Sequence, residues 1–196
     1  TGLTSLSFPA SLRYINYYAF QSCANLSSVT LNDGLIQVRQ RAFGDTALTT
    51  LSLPASVTDF QPQSIANLTS ITVNASNTAY SSVDGVLYSK DQKTLLEYPA
   101  AKSGTAYTVL ASVTKIGVYA FAHATLQTLT LPSSLTTIAN NAITQCANLE
   151  TLTIPSAVTA IGMNLLWDCP KITELRVNAT TPPSLDSTLP VSYTHL

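Results

Sequence analysis

Few residues in this 196-residue chain have the types and spacing that acid-base or nucleophilic catalysis requires. The two histidines, His123 and His195, lie in different contexts and share no plausible partner acid. A catalytic histidine needs such a partner to orient it and to exchange its proton. The sequence also has no Gly-x-Ser-x-Gly, phosphate-loop or His-Glu-x-x-His motif. We therefore predict no catalytic residues and do not expect an enzyme.

Asp84 and Asp91 are the nearest approach to a paired carboxylate. Asp84-Gly85, however, is the dipeptide that a two-residue hairpin turn prefers, and the flanking SSV and VLYS alternate as strands do. A calcium site would need more oxygen ligands than this segment clearly supplies. We interpret both aspartates as turn residues and predict neither a metal site nor a cofactor.

The composition argues against two classes of partner. Charged residues make up 10% of the chain and the net charge is -1, so there is no basic surface for nucleic acid or for an anionic membrane. No stretch reaches the ~18 consecutive apolar residues of a membrane span. Because 45% of the residues are hydrophobic, the chain can bury a large core, and its polar surface must consist mainly of Ser, Thr and Asn.

The elements that position these residues recur about every twenty-three residues. LTSLSFPASLRYINYYAFQSCAN from Leu3 aligns with LQTLTLPSSLTTIANNAITQCAN from Leu126, and eight such units, two of them incomplete, follow along the chain. Apolar residues such as Leu129 and Leu131 alternate with Ser or Thr, which indicates a strand with one buried face. Stacking these strands in parallel, about 4.8 Å apart, would bury a continuous apolar ladder.

Other fixed places in the unit predict the turns. Proline follows the strand in four units, where it can begin a turn but cannot donate a ladder hydrogen bond. These prolines are Pro9, Pro54, Pro132 and Pro155. An Ala-Phe pair, such as Ala120-Phe121, occurs later in several units. We expect it to pack a helical turn or an irregular segment against the strands.

The three cysteines all fall at one place of the unit. Cys23, Cys146 and Cys169 occupy the place that other units fill with Thr46 or Ala124, so this place should be small and buried. Free thiols are the simplest prediction. Since Cys146 and Cys169 lie on successive rungs, a disulfide between them stays open.

One stretch, residues 72–100, departs from the repeat. It predicts a hairpin through Asp84-Gly85 and a second turn at 90–93, within an insertion that spans residues 75–103. Four apolar residues should fasten it to the rungs on either side: Val83, Val86, Leu87 and Leu95. We expect a single domain over residues 1–196, a fragment of a longer array, with an atypical tail at 179–196 that ends in the unrelated VSYTHL.

The unit L-x-x-(I/L/V)-x-(L/I/V)-P-x-x-(V/L)-x-x-I-x-x-x-A-F-x-x-C resembles the BspA-like leucine-rich repeat. The resemblance covers Leu3 to about Asn178. It implies an α/β, β-rich fold: a right-handed leucine-rich-repeat solenoid with parallel strands, here with a β-hairpin insertion. It further implies a secreted or cell-surface bacterial protein of the adhesion and protein-binding type, without enzymatic activity. The family has no fixed set of binding residues to transfer.

Candidate partner-binding residues come from two settings. The strand face that points away from the core should carry hydroxyl groups, and aromatic residues on turns or in the insertion could act as anchors, because Trp and Tyr are enriched at binding hot spots. The candidates are Ser52, Thr72, Thr130 and Thr153 on the strands, Trp167 on a turn, and Tyr80 and Tyr88 in the insertion. The simpler interpretation is that the hydroxyls serve strand propensity and solubility, and that each tyrosine covers its own rung.

Two functions from different classes fit this sequence, and a third is weaker. The first is a non-enzymatic adhesion or protein-binding module whose partner is a host, neighbouring-cell or matrix protein. The second is a structural spacer without a ligand of its own. The third is a glycan-binding accessory module, for which no aromatic platform is visible. Saturable binding by the isolated chain would separate the first from the second.

Overall fold

The computed structural model describes residues 2–61, 65–178 and 184–185, so the predicted tail at 179–196 lies almost entirely outside the described residues. The described chain consists of strands and turns, with no helix. Its strands are, in order, β1 (Ser5–Ser7), β2 (Tyr14–Ile15), β3 (Ser28–Thr30), β4 (Gln37–Val38), β5 (Thr50–Leu53), β6 (Asp59–Phe60), β7 (Ser70–Val73), β8 (Tyr80–Val83), β9 (Val86–Ser89), β10 (Thr94–Glu97), β11 (Ala106–Thr108), β12 (Lys115–Ile116), β13 (Thr128–Thr130), β14 (Thr137–Ile138), β15 (Thr151–Ile154), β16 (Ala160–Ile161), β17 (Glu174–Val177) and β18 (Ser184–Leu185).

The first strand of each rung forms the front layer of the solenoid. Here β1 pairs with β3, β5 with β7, and β11, β13, β15 and β17 pair in that order, all in parallel. Equivalent residues of successive units face each other, as Leu6 faces Val29 and Leu51 faces Ile71. The parallel, in-register stacking predicted from the period of the apolar residues is therefore confirmed.

The second strand of each rung forms the back layer. Strands β2, β4 and β6 make one parallel sheet. A second sheet continues with β12, β14, β16 and β18, and it also contains β8, β9 and β10 of the insertion. Six of these strands (β2, β4, β6, β12, β14 and β16) have two residues each and bury one of them, for example Ile138 of β14. The core lies between the two layers.

A turn that begins at the predicted prolines joins the two layers. The backbone N–H three residues after each proline donates to its carbonyl, at 3.0 Å for Leu12 to Pro9 and 3.1 Å for Leu135 to Pro132. Proline fits this first place of the turn because its missing N–H is not needed there. Asn32 takes the same place in the second unit, and its carbonyl accepts from Leu35 at 3.2 Å.

The return from the back layer to the next front strand is made of turns, not of a helix. In five of the returns, two residues four positions apart have a positive φ, a conformation that side chains other than Gly and Asn avoid. They are Tyr18 and Ser22, Arg41 and Asp45, Tyr119 and His123, Asn141 and Gln145, and Asn164 and Asp168. This repeated left-handed pair keeps the chain from forming the helical turn that the Ala-Phe segment also allowed.

Asn164 provides a test of this backbone feature because its side chain is exposed and its φ is 53°. We expect Asn164→Gly to leave the free energy of unfolding nearly unchanged, because both residues tolerate the left-handed region. Asn164→Val should lower it by about 1–2 kcal/mol, since a β-branched residue is strained there. Urea unfolding of the two variants measures the difference, and equal stabilities would contradict the assignment.

The insertion adds three antiparallel strands to the back layer. β8 pairs with β9 across Asp84-Gly85, and β9 pairs with β10. Asp84 and Gly85 both have positive φ, at 48° and 76°, as the two central residues of a type I′ turn do. A Cβ added to Gly85 would lie 2.7 Å from Ser70 Oγ, so the turn packs too closely against β7 for a larger residue.

Strand β9 lies at the junction of two apolar cores. Val86 and Tyr88 belong to the cluster that continues through the later rungs, whereas Leu87 belongs to the cluster of the earlier rungs. All three side chains are fully buried. Val83 and Leu95 pack with the later cluster, so the prediction that these apolar residues fasten the insertion to both sides is confirmed. The insertion is a structural joint between two halves of the array.

Candidate functional site

The outward side chains of the front strands form a surface that we call the hydroxyl face. Their apolar neighbours along each strand point into the core, so period-two alternation leaves the hydroxyls exposed. The face consists of Ser5, Ser7, Ser28, Thr30, Thr50, Ser52, Thr72, Thr108, Thr128, Thr130, Thr151 and Thr153, all exposed. At its far end lie Glu174 and Arg176, whose Oε1 and Nε atoms are 2.7 Å apart.

Ser52 and Thr72 lie directly opposite each other on the paired strands β5 and β7. They line a shallow groove of about 360 Å³ at the carboxyl ends of β3, β5 and β7. Asp33 and Asn74 lie along the same groove. The groove therefore offers hydroxyl, carboxylate and amide groups over three successive rungs, which suits recognition by hydrogen bonding better than chemistry.

Thr130 and Thr153 occupy the second half of the hydroxyl face, on the paired strands β13 and β15. The insertion separates them from Ser52 and Thr72. The structure thus brings the four strand candidates together as two adjacent pairs on one layer, and the exposure expected from the strand pattern is observed.

The insertion tyrosines do not form part of any exposed surface, and the prediction that Tyr80 and Tyr88 contact a partner conflicts with their burial. Tyr88 is 0% exposed and Tyr80 is 9% exposed. The Tyr80 hydroxyl accepts from the Phe60 N–H at 2.8 Å and donates to the Thr58 carbonyl at 3.1 Å. Alternation along a strand suggests one exposed face, but here a core lies on each side of β9.

Tyr88 belongs to a buried aromatic cluster with Tyr98, Tyr107 and Phe121. The Tyr88 and Tyr107 hydroxyls are 2.6 Å apart, and the Tyr98 ring lies 4.8 Å from that of Tyr107 and 5.3 Å from that of Phe121. Burial raises the pKa of Tyr98 to about 12 and raises the pKa of Tyr88 further. These phenols stay neutral and serve packing instead of proton transfer.

Trp167 is exposed as predicted, with 58% of its surface accessible. It lies on the return turn beside Asp168, and its carbonyl accepts from Gln145 N–H at 2.8 Å and Thr144 Oγ1 at 2.9 Å. The backbone is thus held against the previous rung while the indole ring projects outward. Such a rigid, exposed aromatic residue has the properties of a binding anchor.

A second exposed aromatic surface was not among the predicted sites. Tyr14, Tyr17 and Tyr18 are each more than half exposed. The Arg39 guanidinium lies 5.4 Å from the centre of the Tyr17 ring, and its Nη1 is 3.8 Å from Asp59 Oδ2. We call these five residues the tyrosine-arginine cluster. The three tyrosines of the YINYY segment could have indicated this surface from the sequence. The contact with Arg39 could not, because it forms only when the next rung stacks against the first.

The residues considered for acid-base or metal chemistry have structural roles. Burial lowers the pKa of His123, so its imidazole is neutral near pH 7. Asp84 pairs with Lys102 at 3.0 Å. Asp91 accepts from Ser89 Oγ at 2.7 Å and Lys93 N–H at 3.0 Å, and these hydrogen bonds lower its pKa. Within the described residues no group of three His, Cys, Asp or Glu side chains is placed to hold a metal ion.

The described part of the chain also contains no helix long and apolar enough to cross a membrane.

Comparison with known proteins identifies the repeat. The model of the BspA type leucine rich repeat region matches residues 1–90 and 100–185 in six copies. The unmatched residues between these ranges contain β10, the strand with which the insertion rejoins the array. A search of curated proteins gives no match.

Three solved bacterial structures share the fold. A leucine-rich repeat protein from Eubacterium ventriosum is 24% identical, with a TM-score of 0.80 over 90% of this chain and 54% of that one. The pneumococcal vaccine antigen PcpA is 28% identical, with a TM-score of 0.75 over 94% and 54%. A leucine-rich cell surface protein from Faecalibacterium prausnitzii is 23% identical, with a TM-score of 0.62 over 91% and 60%. This chain spans about half the length of the first two.

Proposed function

The chain belongs to the BspA-type leucine-rich repeat family, and we propose that it is a non-enzymatic module that binds a protein partner at the bacterial cell surface or outside the cell. The family's repeats are interaction modules, and the Faecalibacterium neighbour is called a cell surface protein. Adhesion to a host, neighbouring-cell or matrix protein is the role we assign to this binding.

The observation that carries the proposal is the hydroxyl face itself. Its side chains lie in register from rung to rung, are exposed and carry almost no charge. Each hydroxyl can donate one hydrogen bond and accept two. A partner that presents regularly spaced polar groups would make one weak contact per rung, and the sum of many such contacts would give useful affinity.

The area of the hydroxyl face is too small to form a stable protein interface by itself. Eight strands about 4.8 Å apart and roughly 10 Å long cover on the order of 350 Å², whereas a stable protein interface buries about 800 Å² on each partner. The partner must therefore extend beyond the strands. The groove beside Asp33 and Asn74 and the exposed ring of Trp167 are the surfaces that would supply the remainder.

The tyrosine-arginine cluster is the alternative surface for the same function. Tyrosine and arginine dominate binding hot spots because they combine a large apolar area with directional polar groups. Asp59 lies close enough to Arg39 to hold its side chain beside Tyr17, which lowers the entropy lost on binding. This cluster lies on the back layer, so separate variants can distinguish it from the hydroxyl face.

Binding is tested by biosensor titration of the purified chain against a panel of extracellular-matrix proteins and glycans. Saturable binding to a protein is expected. The paired variant Ser52→Arg/Thr72→Arg should weaken it at least tenfold, about 1.4 kcal/mol, because two long charged side chains would fill the groove. Trp167→Ala should weaken it by a similar factor if that ring completes the interface.

The control is Ser133→Arg, which adds one arginine at an exposed turn residue outside the hydroxyl face. It should leave the dissociation constant unchanged. Loss of binding only in Tyr14→Ala/Tyr17→Ala would assign the partner to the tyrosine-arginine cluster. Saturation by glycans alone would replace the protein partner with a glycan, and no saturable binding at all would favour the spacer.

A further inference from the structure

Two buried thiols lie on successive rungs at the corner of the solenoid. Cys146 is 2% exposed and Cys169 is 6% exposed. Each thiol donates to a carbonyl of the preceding rung, Cys146 Sγ to Phe121 at 3.1 Å and Cys169 Sγ to Ile143 at 3.6 Å. The two sulfur positions therefore repeat with the rung, and the thiols are direct neighbours.

The backbones beside these thiols are in contact. Gln145 N–H donates to the Trp167 carbonyl at 2.8 Å. Gln145 directly precedes Cys146, and Trp167 lies two residues before Cys169. Thr144 Oγ1 donates to the same carbonyl at 2.9 Å. The two cysteines lie on returns, not on strands, but these hydrogen bonds hold the returns together. The rungs repeat about every 4.8 Å, which places equivalent Cα atoms within the 4.4–6.8 Å range that disulfides span.

We propose that Cys146 and Cys169 are a redox-convertible pair that forms an inter-rung disulfide when the protein meets an oxidising thiol-disulfide couple. With glutathione disulfide as the oxidant, two S–H bonds are broken and one S–S bond forms between the cysteines. The two electrons reduce glutathione disulfide to two glutathione thiols, which take up the two protons. The bond fixes the rung that begins at Leu126 to the rung that begins at Leu149.

The order of the steps follows from the surroundings of each thiol. The contact with Cys146 holds the pKa of Cys169 below its ordinary value, whereas the same contact and burial raise the pKa of Cys146. Cys169 also lies beside the exposed Trp167 and Pro170, so a small opening of this turn admits the oxidant. Cys169 attacks first and forms a mixed disulfide with glutathione, and Cys146 then displaces the second glutathione.

Cys23 provides an internal control at the same place of the repeat. The next rung carries Thr46 there, whose Oγ1 donates to the Phe43 carbonyl at 2.8 Å. Cys23 is half-buried and has no second thiol on the adjacent described rung. It can form a mixed disulfide but cannot form an inter-rung bond.

The test equilibrates the full chain with glutathione buffers of increasing oxidation, quenches with acid, unfolds the protein and labels the remaining thiols for intact mass analysis. Alanine is the substitution of choice because the repeat itself places Ala124 at this position. Cys23→Ala should lose both of its thiols and the mass of two hydrogen atoms. Wild type should lose the same two thiols, with at most one glutathione adduct in addition, at Cys23. Cys146→Ala and Cys169→Ala should form no internal bond.

Oxidised wild type should also unfold roughly 5–10 °C higher than reduced wild type, since the bond closes a loop of about twenty residues. The reduced alanine variants serve as the stability reference. The proposal is overturned if wild type keeps all three thiols in the most oxidising buffer, or if it accumulates only glutathione adducts. Loss of the two thiols in Cys23→Ala alone supports it even if a Cys146 or Cys169 variant fails to fold.

Discussion

Replacing Phe121 with alanine is expected to lower the free energy of unfolding by about 3–5 kcal/mol, the range for deleting a fully buried aromatic ring. Phe121 is 0% exposed, and its ring contacts Tyr98 at 5.3 Å and Tyr107 at 6.3 Å between centroids. Its surroundings cannot collapse easily, because those two tyrosines are held by the insertion and by β11. The cavity would therefore remain largely open.

The matched control is Phe20→Ala, which removes the same ring from the same place of the first unit. Phe20 stacks on Phe43 at 5.6 Å but is only half-buried, so we expect a loss of about 1–2 kcal/mol. Urea unfolding followed by far-UV circular dichroism measures both variants. A loss for Phe121→Ala no greater than that for Phe20→Ala would contradict the tight packing described for the junction.

The sequence predicted the regular part of the fold because one pattern specifies it many times. Apolar residues recur in every rung at the positions of Leu129 and Leu131. A wrong strand prediction for one unit can therefore be corrected by comparison with the other units. The prolines marked the first turn for the same reason. Comparing units also predicted a small, buried residue at the place of the cysteines. Cys146, Cys169 and Ala124 are buried there, whereas Cys23 in the first unit is half-buried.

The left-handed pair found in five of the returns was harder to predict. Asn141, Asn164, Asp45 and Asp168 are residue types that favour this conformation, and they gave a signal. Tyr119 occupies the equivalent position with a φ of 56° although its type does not favour it. Stacking against the neighbouring rung therefore fixes the conformation, and the residue types at these positions favour it in only some of the units.

The insertion shows why burial could not be predicted from a single segment. VLYS alternates as a half-exposed strand does, yet Val86, Leu87 and Tyr88 are all buried because β9 lies between two cores. Which rungs flank a strand depends on the whole array. The tyrosine-arginine cluster could not be predicted for the same reason. Tyr17 and Arg39 are distant in sequence and come into contact only when successive rungs stack.

Replacing Asn77 with alanine is expected to lower the free energy of unfolding by about 3–4 kcal/mol. Asn77 is 1% exposed, and its side chain makes four hydrogen bonds of 2.8–2.9 Å. Nδ2 donates to the Pro54 and Val57 carbonyls, while Oδ1 accepts from the Ala79 and Tyr80 N–H groups. Alanine would remove all four bonds. The Pro54 carbonyl would keep its bond from the Val57 N–H, but the Val57 carbonyl and the Tyr80 N–H would lose this buried partner, and each such loss costs about 1–3 kcal/mol, with incomplete additivity.

Asn74→Ala is the matched control, because Asn74 is exposed and its Oδ1 accepts one hydrogen bond, from Ser76 N–H at 2.9 Å. It should cost less than about 1 kcal/mol. Asn77 joins the third rung to the start of the insertion, where the two cores meet, so its loss should also separate the halves. Fluorescence of Trp167, the single tryptophan, reports the later half, and circular dichroism reports both. In wild type we expect the fluorescence and circular dichroism signals to report one unfolding transition at the same urea concentration. In Asn77→Ala we expect the two signals to change at different urea concentrations. A single shared transition in Asn77→Ala, with only a small loss of stability, would contradict the role of Asn77 as the joint.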